Sequence, residues 1–563
     1  MPRCLAIFLL AVLGCATPPG RGVRVTTTDS GTLFIAGTVL AGPDQKPQKN
    51  YAIYVENGRV REVGPANALR AAHAGARVID VSAATILPGL TDAHGHLYGL
   101  GLSLDTVDLV GASSYEEAVA RVRKRAATEP AGQWILGRGW DQNRWAGKQF
   151  PTAELLDAAV ADHPVWLRRV DGHAGLANSA AMRAAGIGAA TRDPDGGRII
   201  RDAAGNPTGV FVDGAMQLID SKVPPPSFAQ RKERVRAAAE AIAANGLTEM
   251  HDAGADEETI RAIRELIDEK RFPIRVYVML SDDDLSDGQG AASHLTEWLR
   301  RGPLVGYGDR LTVRSIKLYA DGALGSRGAA LLAPYSDDPG NSGLVISGPE
   351  HILGVSKRAL AAGFQVNTHA IGDRGVRNVI DAYERAGIDP SRRFRVEHLQ
   401  VIAHSDVPRL SKLGIIASMQ PTHATSDMPW AEARLGTERI KGAYAWRTVL
   451  DSGARIALGS DFPVELVNPF FGIYSAVTRQ DQKGQPEGGW YPTQRLTLAE
   501  AIRGFTKDAA YAAFEEDSRG SIEPGKLADF TIVHENPYEI PSSQLWRMTV
   551  KYTVVGGEIV YGR

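Results

Sequence analysis

The sequence contains very little cysteine, and its positive and negative charges almost cancel. Cys4 and Cys15 are the only cysteines among 563 residues, and both lie near the amino terminus. If the segment before Cys15 is removed, no internal disulfide can form, so stability must come from other interactions. The formal net charge is -2 at pH 7, and no long basic run occurs. These absences argue against a nucleic-acid partner and favour a small molecule.

The apolar run at the amino terminus is too short to cross a bilayer. Arg3 precedes an apolar segment from Leu5 to Leu13, which is typical of an export signal. The following Gly14-Cys15 resembles the end of a lipoprotein signal, in which Cys15 would become an acylated amino terminus. Because Leu13 is not the usual small residue, a plain secretory signal cut nearby is the alternative. We expect residues 1–22 to be a signal and linker, and the protein to be exported. It would be periplasmic, or anchored to a membrane only through a lipid on Cys15.

The overall composition is that of an ordinary globular protein. Apolar residues make up 44% of the chain and charged residues 23%, which allows a large core and does not indicate disorder. The length permits one large catalytic domain with attachments, or roughly three to four small domains. The chain could also form a homo-oligomer, which the sequence does not determine.

Short strand patterns occur at both ends of the chain. Asn57-Gly58 and Gly556-Gly557 each lie between apolar runs, so each predicts a β-hairpin. Neither end is long enough to bury a sheet alone. We therefore expect residues 23–85 and 520–563 to pair as one small β-domain.

Between these ends, strand patterns alternate with helical patterns, which predicts βα units and a parallel sheet. We expect about eight strands, the number that closes a (β/α)8 TIM-like barrel, within residues 86–519. The first connection is far longer than a normal βα loop, so residues from about 100 to 222 should form an inserted α+β subdomain. The predicted strands end near His94, His251, Met279, Leu318, His369, His398, Gln420 and Asp461.

Two histidines close the first predicted barrel strand. Because side chains alternate along a strand, His94 and His96 point the same way and offer half of a metal site. Gly95 between them carries no side chain, which we expect to leave room for the cation. The chain has 13 histidines, so the pair alone is weak support for a metal site.

Further polar side chains end other predicted strands, and the carboxyl ends of barrel strands meet at one mouth. They are Lys317, His369, His398 and Asp461. His94, His96 and Asp461 could hold one divalent ion, while His369 and His398 could hold a second. Lys317 would repel cations as an ammonium group, but carbamylation would turn it into a bridging carboxylate. Imidazole and carboxylate ligands suit zinc best, so two zinc ions are the expected cofactors.

Each of these six residues has an ordinary alternative when it is considered alone. A histidine at a strand end is more often a hydrogen-bonded core residue, Lys317 could be an ordinary lysine at the mouth of the barrel, and Asp461 could cap the next helix. Their joint occurrence at matching strand ends favours the metal site over these separate explanations.

In this order and on these strands, the six residues resemble the amidohydrolase superfamily. The surrounding motifs are similar to those of the branch that includes N-substituted formamide deformylase; they are Pro88–His96, Lys317–Arg327, Thr368–Asp373 and Gly459–Val464. The resemblance extends from about Leu33 to Tyr561 and lacks no expected ligand. It implies a metal-dependent hydrolase with a composite β-sandwich beside the barrel, and one or two metal ions.

Other residues are candidates for substrate contacts. By the same resemblance, Trp140, Asp141 and His173, with Asn178, would fold over the mouth, although structural turns are an equal alternative. The glycine-rich segment from Gly322 to Gly328 could be a mobile lid, with Ser326 and Arg327 contacting substrate; a solvated loop is the alternative. His251 and His423 also lie near strand ends, and we expect them to support the site or line its pocket rather than bind metal.

The expected divalent ions and the carboxylate of Asp461 predict a hydrolytic mechanism. A pair of divalent ions would lower the pKa of water toward ~7 and polarise the scissile carbonyl. Asp461 would take a proton and deliver it to the leaving nitrogen. We therefore expect hydrolysis of amide bonds in a small molecule. The alternatives are esters, lactones or dipeptides cleaved by the same site, and a non-catalytic binding lipoprotein that holds metal without turnover.

Overall fold

The computed structural model describes residues 31–169, 174–194, 197–282 and 294–562. The predicted signal segment with Cys15, and the candidate substrate contact His173, lie outside these residues. No helix in the described ranges is both long and apolar enough for a membrane crossing.

Strands from both ends of the chain form one seven-stranded sheet. β4 pairs parallel with β1 and antiparallel with β20, so the two ends meet at the centre of the sheet, in the order β22-β21-β20-β4-β1-β2-β3. The strands are β1 (Thr32–Ala41), β2 (Lys46–Glu56), β3 (Arg59–Pro65), β4 (Arg77–Pro88), β20 (Phe530–Val533), β21 (Val550–Val555) and β22 (Glu558–Gly562). Strands from both termini therefore build one sheet.

The two predicted hairpins join neighbouring strands of this sheet. Asn57 and Gly58 both have positive φ, at 52° and 71°, as a tight turn between antiparallel strands requires. Gly556 and Gly557, at 61° and 79°, turn the chain between β21 and β22 in the same way. Phe34 and Phe530, one from each end of the chain, pack edge to face in the core beneath, with ring centroids 5.6 Å apart.

Eight parallel strands form a nearly closed barrel that begins at Leu90, directly after β4. Their order around the barrel is β19-β18-β17-β16-β15-β13-β12-β5. They are β5 (Leu90–Gly95), β12 (Leu247–Ala255), β13 (Arg275–Ser281), β15 (Leu311–Tyr319), β16 (Gln365–Ala370), β17 (Arg395–His398), β18 (Ile416–Met419) and β19 (Ile456–Leu458), with β14 (Leu304–Tyr307) antiparallel to β15. The prediction of a (β/α)8 barrel is confirmed.

Helices cover the outside of the barrel and pack against its apolar strands. In the barrel region they are Leu97–Asp105, Phe228–Ala244, Glu257–Asp268, His294–Arg301, Pro349–Ala362, Asp373–Ala386, Val407–Leu413, Pro421–Asp427, Ala431–Arg439, Trp446–Asp451, Pro469–Thr478, Leu498–Gly504 and Lys507–Ala512. Helix Ala66–Ala72 lies beside the composite sheet. Short 3₁₀ turns occur at Gln142–Arg144, Gly214–Met216, Pro390–Arg392, His404–Asp406, Ile440–Gly442, Pro492–Gln494 and Ser542–Arg547.

The long connection between β5 and β12 contains a separate six-stranded sheet, in the order β10-β11-β9-β8-β7-β6. Its strands are β6 (Val107–Asp108), β7 (Ile135–Trp140), β8 (Val165–Arg169), β9 (Ala174–Ala177), β10 (Gly197–Arg201) and β11 (Pro207–Asp213), and its helices are Tyr115–Ala126, Glu154–Ala159, Ser179–Ala184 and Gln217–Asp220. An inserted α+β subdomain therefore follows the first barrel strand, as its sequence predicted.

The last gap of the barrel, between β5 and β19, is bridged by the residues that follow β19. The backbone N–H of Asp461 donates to the carbonyl oxygen of His94 at 2.7 Å. The Ser460 hydroxyl donates to Asp92 Oδ2 at 2.6 Å. Barrel closure thus fixes Asp461 beside His94.

Candidate metal centre

The six side chains predicted as ligands lie at the carboxyl ends of the barrel strands. His94 Nε2 is 3.3 Å from Lys317 Nζ and 3.5 Å from Asp461 Oδ1. His96 Nε2 is 3.0 Å from the same Asp461 oxygen. The His398 ring centroid lies 4.6 Å from the centroids of both His94 and His369. All six side chains are therefore linked by close approaches at one mouth.

The geometry forms two groups of three side chains that share Asp461. In the first, the ligand atoms of His94, His96 and Asp461 lie within 4.8 Å of one another. In the second, His398, His423 and Asp461 meet the same limit. The first group has the composition expected from the sequence. The second contains His423, which we expected in the pocket, rather than His369.

His423 is the site residue whose position the sequence predicted least well. It lies in the first turn of helix Pro421–Asp427, directly after β18, with Nε2 3.7 Å from Asp461 Oδ2. The only sequence signal was its position shortly after a strand end. His369 instead directs Nε2 toward Asp321 Oδ1 at 3.6 Å, while its ring neighbours His398. Either histidine could complete a second metal position.

Two buried ring nitrogens fit the requirements of a metal site. Among the residues that the structure describes, His369 Nε2 and His423 Nε2 are buried and have no hydrogen-bond partner. Buried polar atoms normally have partners, so these two nitrogens are available to a ligand at the mouth. Together with a carboxylate and further imidazoles, they form a donor set that suits a divalent cation such as zinc.

The imidazoles of His94, His369 and His398 are held neutral, as metal ligation requires. Burial lowers the pKa of His94 to about 4, assisted by the charge of Lys317. Burial and the same lysine lower the pKa of His369 to about 3. Burial, with the nearby histidines, also places the pKa of His398 well below its usual value. At neutral pH these rings therefore keep the lone pairs that bind metals.

Lys317 and Asp461 are the two charged groups that face these rings. Burial lowers the pKa of Lys317 to about 8, although Glu397 and Asp461 oppose this effect. Burial acts to raise the pKa of Asp461, but His96 and the other nearby histidines outweigh it and bring that pKa to about 2. Asp461 is therefore ionised at neutral pH, and a fraction of Lys317 is a neutral amine.

Glu397 orients His94 and was missed by the sequence reasoning. Its Oε2 accepts a short hydrogen bond from His94 Nδ1, which leaves Nε2 directed at the mouth. Arg395 holds Glu397 through contacts of 2.7 and 3.0 Å. His251 contacts Arg395 at 2.9 Å, so it is connected to His94 through two intervening side chains. This arrangement is typical of the carboxylates that support metal-binding histidines.

Backbone conformation explains why Glu397 and His398 both reach the site although they are consecutive. His398 has φ 71°, which interrupts the normal alternation at the end of β17. Asp461 also has a positive φ of 64°. Left-handed backbone is uncommon for residues other than glycine, and such strain concentrates at functional sites. Two of the six candidate ligands are therefore held in unfavourable backbone conformations.

Gly95 has a different role from the one expected. We expected its missing side chain to leave room for a cation, but a Cβ there would lie 2.6 Å from Cε1 of the buried Phe462 ring. The His96 N–H also donates to the Phe462 carbonyl oxygen at 2.8 Å. Gly95 therefore permits close packing of Phe462, the residue after Asp461, against β5.

Hydrogen bonds from two glutamines fix the other histidines. Gln420 Oε1 accepts from His398 Nδ1 at 2.9 Å, which leaves Nε2 of that ring free for a ligand. Gln400 Nε2 lies 3.2 Å from His423 Nδ1, so Nδ1 of this ring faces Gln400 and Nε2 faces Asp461. Each ring therefore has a protein partner on one nitrogen and presents the other.

Three predicted substrate contacts of the insertion, Trp140, Asp141 and Asn178, have hydrogen-bond partners within the insertion itself. Trp140 is buried in the insertion core, where its indole N–H donates to the Leu167 carbonyl oxygen at 2.8 Å, so a substrate contact by Trp140 is not supported. Asp141 accepts a hydrogen bond from Arg169 at 2.8 Å. Asn178 is fully buried and caps helix Ser179–Ala184.

The glycine-rich segment after β15 is held by its own hydrogen bonds. The Gly328 N–H donates to the Ala323 carbonyl oxygen at 2.9 Å. Arg327 pairs with Asp337 at 2.9 Å, and the exposed Ser326 hydroxyl donates to the Ala323 carbonyl oxygen at 3.3 Å. In this conformation Arg327 has a protein partner, so substrate contact would require that pair to open.

A cavity of about 440 Å³ lies directly beside the candidate metal centre. His96 and Pro463 form the wall nearest to Asp461, and Asp252 lies on another side. Burial raises the pKa of Asp252 to about 6. The volume is within the range of small-molecule pockets, so the mouth offers space for a ligand next to His96.

Comparisons with known proteins agree with this geometry. Residues 77–561 match the sequence model described as "Amidohydrolase family". YtcJ of Bacillus subtilis (strain 168) is 34% identical over 526 residues, covering 92% of this chain and 97% of the relative. N-substituted formamide deformylase of Arthrobacter pascens is 28% identical over 553 residues, covering 94% of this chain and 98% of the relative. A crystal structure of an uncharacterized metal-dependent hydrolase from Pyrococcus furiosus has a TM-score of 0.75 and 30% identity, and the match covers 90% of this chain and 100% of the other.

Proposed function

Because this chain belongs to the amidohydrolase family and is a metal-dependent hydrolase, we propose that it cleaves an amide carbon–nitrogen bond in a small molecule. The single observation that carries this proposal is the cluster of imidazoles around one ionised aspartate, two of them with unpartnered buried nitrogens. The similarity to a relative named as a formamide deformylase supports an amide rather than an ester as the substrate.

The residues suited to hold divalent ions fall into two sets. His94, His96 and Asp461 would hold one ion. His398, with His369 or His423, would hold a second, and zinc is the cation that suits these ligands best. When bound, such ions supply Lewis acidity, which makes water nucleophilic near neutral pH and polarises the scissile carbonyl.

Asp461 is the residue proposed to move the proton. Its carboxylate is ionised at neutral pH because the surrounding histidines lower its pKa to about 2. Oδ1 and Oδ2 face different histidines, so the carboxylate lies centrally at the mouth. It would accept a proton from the attacking water and donate it to the leaving nitrogen, since an amine leaves slowly without protonation.

Lys317 is proposed to act as a carbamate. Its side chain is only 1% exposed, and burial lowers its pKa to about 8, which leaves a reactive fraction of neutral amine. Attack of Nζ on carbon dioxide, with loss of one proton, gives a carboxylate that no longer repels cations. The negative group would lie next to His94 and replace the present contact between Nζ and Nε2.

We also propose that the protein is exported, with Cys15 acylated. This rests on the sequence of the first 15 residues. A Cys15→Ala variant should move the protein from the membrane fraction to the soluble fraction. Unchanged fractionation would contradict acylation at this cysteine.

The test of the proposed activity is a hydrolysis screen of the protein before and after removal of metal. N-acyl amines, N-formyl amines, cyclic amides and dipeptides would be compared with esters and lactones. We expect amide hydrolysis that is lost with a chelator and restored by zinc. Asp461→Asn should reduce kcat by about 100-fold or more, while much of the metal is retained. Cleavage of esters or lactones alone, or unchanged amide turnover by Asp461→Asn, would contradict the proposal.

A further inference from the structure

Among the residues that the structure describes, the cavity beside His96 is lined chiefly by acids, hydroxyls and the His96 imidazole. Its lining residues are His96, Tyr98, Gly99, Asp252, Gly254, Ala255, Asp256, Thr259, Ser281 and Pro463. Two carboxylates lie in the wall, and Arg231 neutralises one of them, Asp256. The other, Asp252, has no lysine or arginine partner among the residues that the structure describes, so the cavity favours a positively charged guest over a negatively charged one.

Asp252 is the carboxylate in this wall that has one oxygen without a partner in the described part of the chain. It lies on β12, is 2% exposed, and accepts the Leu97 N–H at Oδ1 over 3.1 Å. Its other oxygen, Oδ2, is buried and has no hydrogen-bond partner among the residues that the structure describes. A buried carboxylate oxygen without a donor is unfavourable, so a donor from the ligand would complete the site.

The second acid, Asp256, is already satisfied by the protein. Its carboxylate accepts from Arg231 Nη1 at 2.8 and 2.9 Å. It also caps helix Glu257–Asp268 by accepting the Thr259 N–H at 2.8 Å. The acceptor left for a guest is therefore Asp252 Oδ2, next to the histidine that would hold metal.

We propose that this cavity binds an ammonium group at the end of a short substrate arm, and that Asp252 selects for it. This inference rests on the proposed amide hydrolysis and specifies the substrate class. The favoured substrates are mono-N-acyl derivatives of short diamines. Their amide lies at the metal centre, and their free ammonium group pairs with Asp252. An uncharged arm of the same length would leave Oδ2 unpaired, which strongly disfavours its binding.

The test compares two amides that differ only at the end of the arm, N-acetylputrescine and N-pentylacetamide. For the zinc-loaded wild-type protein we expect kcat/KM to favour N-acetylputrescine by on the order of 100-fold or more. Asp252→Asn should reduce this preference to less than about tenfold, chiefly through KM for N-acetylputrescine. Equal kcat/KM for the two amides in the wild-type protein would overturn the proposal, and this comparison requires no variant.

A matched control removes a carboxylate that does not line the cavity. Asp268 is the last residue of helix Glu257–Asp268, at the opposite end from the capping Asp256. It accepts a hydrogen bond from the Tyr307 hydroxyl at 2.7 Å. Asp268→Asn changes the net charge by the same amount as Asp252→Asn, so it should keep the wild-type preference. Loss of the preference in both variants would show a general electrostatic effect and would overturn a specific role of Asp252.

Binding of free putrescine separates this inference from the proposed activity. If no amide is hydrolysed by the zinc-loaded protein, the proposed function fails, but calorimetry with putrescine still tests the cavity. Binding by the wild-type protein that is weakened at least tenfold in folded Asp252→Asn would support an ammonium site. Absence of binding, or equal binding by the folded variant, would overturn it.

Discussion

Buried ionisable groups are concentrated at the mouth of the barrel. His94 and Glu397 are fully buried, and Lys317 and Asp461 are nearly so. Such groups cost free energy unless they are paired, and clusters of perturbed pKa values indicate functional sites. The pairing is only partly complete within the protein, because ring nitrogens of His369 and His423 lack partners. At the residue scale, the site is therefore arranged for a cation.

Glu397 should control metal affinity through His94. Glu397→Gln retains the size of the side chain but replaces the charged acceptor of the short hydrogen bond from His94 Nδ1. Loss of such a supporting carboxylate typically weakens metal binding by about 10- to 100-fold. Competition with a chromophoric chelator would measure the zinc dissociation constant of each variant.

Glu516→Gln is the matched control for this prediction. Glu516 pairs with Arg393 at 2.6 and 2.8 Å, just before β17, and does not contact the histidines. Breaking this pair should leave zinc affinity unchanged. Equal zinc affinity in wild-type protein and Glu397→Gln would show that Glu397 does not support His94.

Barrel closure and site geometry depend on the same pair of elements, β5 and the turn after β19. A Cβ at Gly459 would lie 2.5 Å from Asp92 Oδ1 and 2.6 Å from the His94 backbone nitrogen. Asp92 also accepts from the Ser460 N–H and hydroxyl. The glycine therefore allows the two edges of the barrel to approach closely at the level of the metal centre.

Gly459→Ala should destabilise the barrel and weaken metal binding together. Because the added methyl group meets backbone that cannot move easily, we expect a loss of about 1 to 3 kcal/mol in the free energy of unfolding. Gly354→Ala is the control, since this exposed helical glycine has nothing within 4 Å of an added Cβ. It should be neutral or stabilising by up to about 1 kcal/mol. Urea denaturation measures the free energy of unfolding of each variant. Equal stability of the two variants would contradict the close approach of Gly459 to β5.

At the scale of the whole molecule, buried polar contacts attach the composite sheet to the barrel. Asp529, which directly precedes β20, accepts two hydrogen bonds from Arg275 on β13, at 2.8 and 2.9 Å. The Thr531 hydroxyl donates to the Gly246 carbonyl oxygen at 2.6 Å and accepts the Leu90 N–H at 3.0 Å. These contacts hold the sheet against the opening strands of the barrel.

Asp529→Asn should destabilise the protein in a pH-dependent manner. Breaking a buried pair costs about 3 to 5 kcal/mol because Arg275 keeps its charge. Burial acts to raise the pKa of Asp529, but Arg275 outweighs it and the pKa is lowered. The pair therefore stabilises the folded protein fully at pH values above ~3.9, the pKa of an aspartate in the unfolded chain. This stabilisation is lost as the pH falls through the lower pKa that Asp529 has in the folded protein. Urea denaturation should show the largest difference from wild type above about pH 4. A difference that grows as pH falls would contradict this.

The barrel and most of the site could be predicted because buried parallel strands are apolar runs, and His94, Lys317, His369 and His398 interrupt those runs at their ends. The approach of His423 to Asp461 could not be predicted because His423 lies in a helix after β18, where the sequence pattern does not fix its direction. Glu397 and His398 reach the same site because His398 has a positive φ, which the residue type of histidine does not indicate.

Tertiary packing overrode two other expectations. Trp140 follows a glycine-rich sequence that resembles a loop, yet it ends β7 and packs against Trp145 and Phe150. Gly95 is adjacent to two candidate ligands, but the ring that it accommodates comes from Phe462, far away in the sequence. The ring contacts of Trp140 are with residues close in sequence, whereas the contact at Gly95 joins segments that are far apart in sequence.

The most direct test is an anomalous diffraction measurement at the zinc edge on zinc-loaded crystals. We expect one peak within about 2.0 to 2.2 Å of a nitrogen of His94, a nitrogen of His96 and an oxygen of Asp461. A second peak should mark a zinc ion bound by His398 and by either His369 or His423. Zinc found only at surface histidines, or no peak at the mouth of the barrel at saturating zinc, would contradict the proposed metal centre.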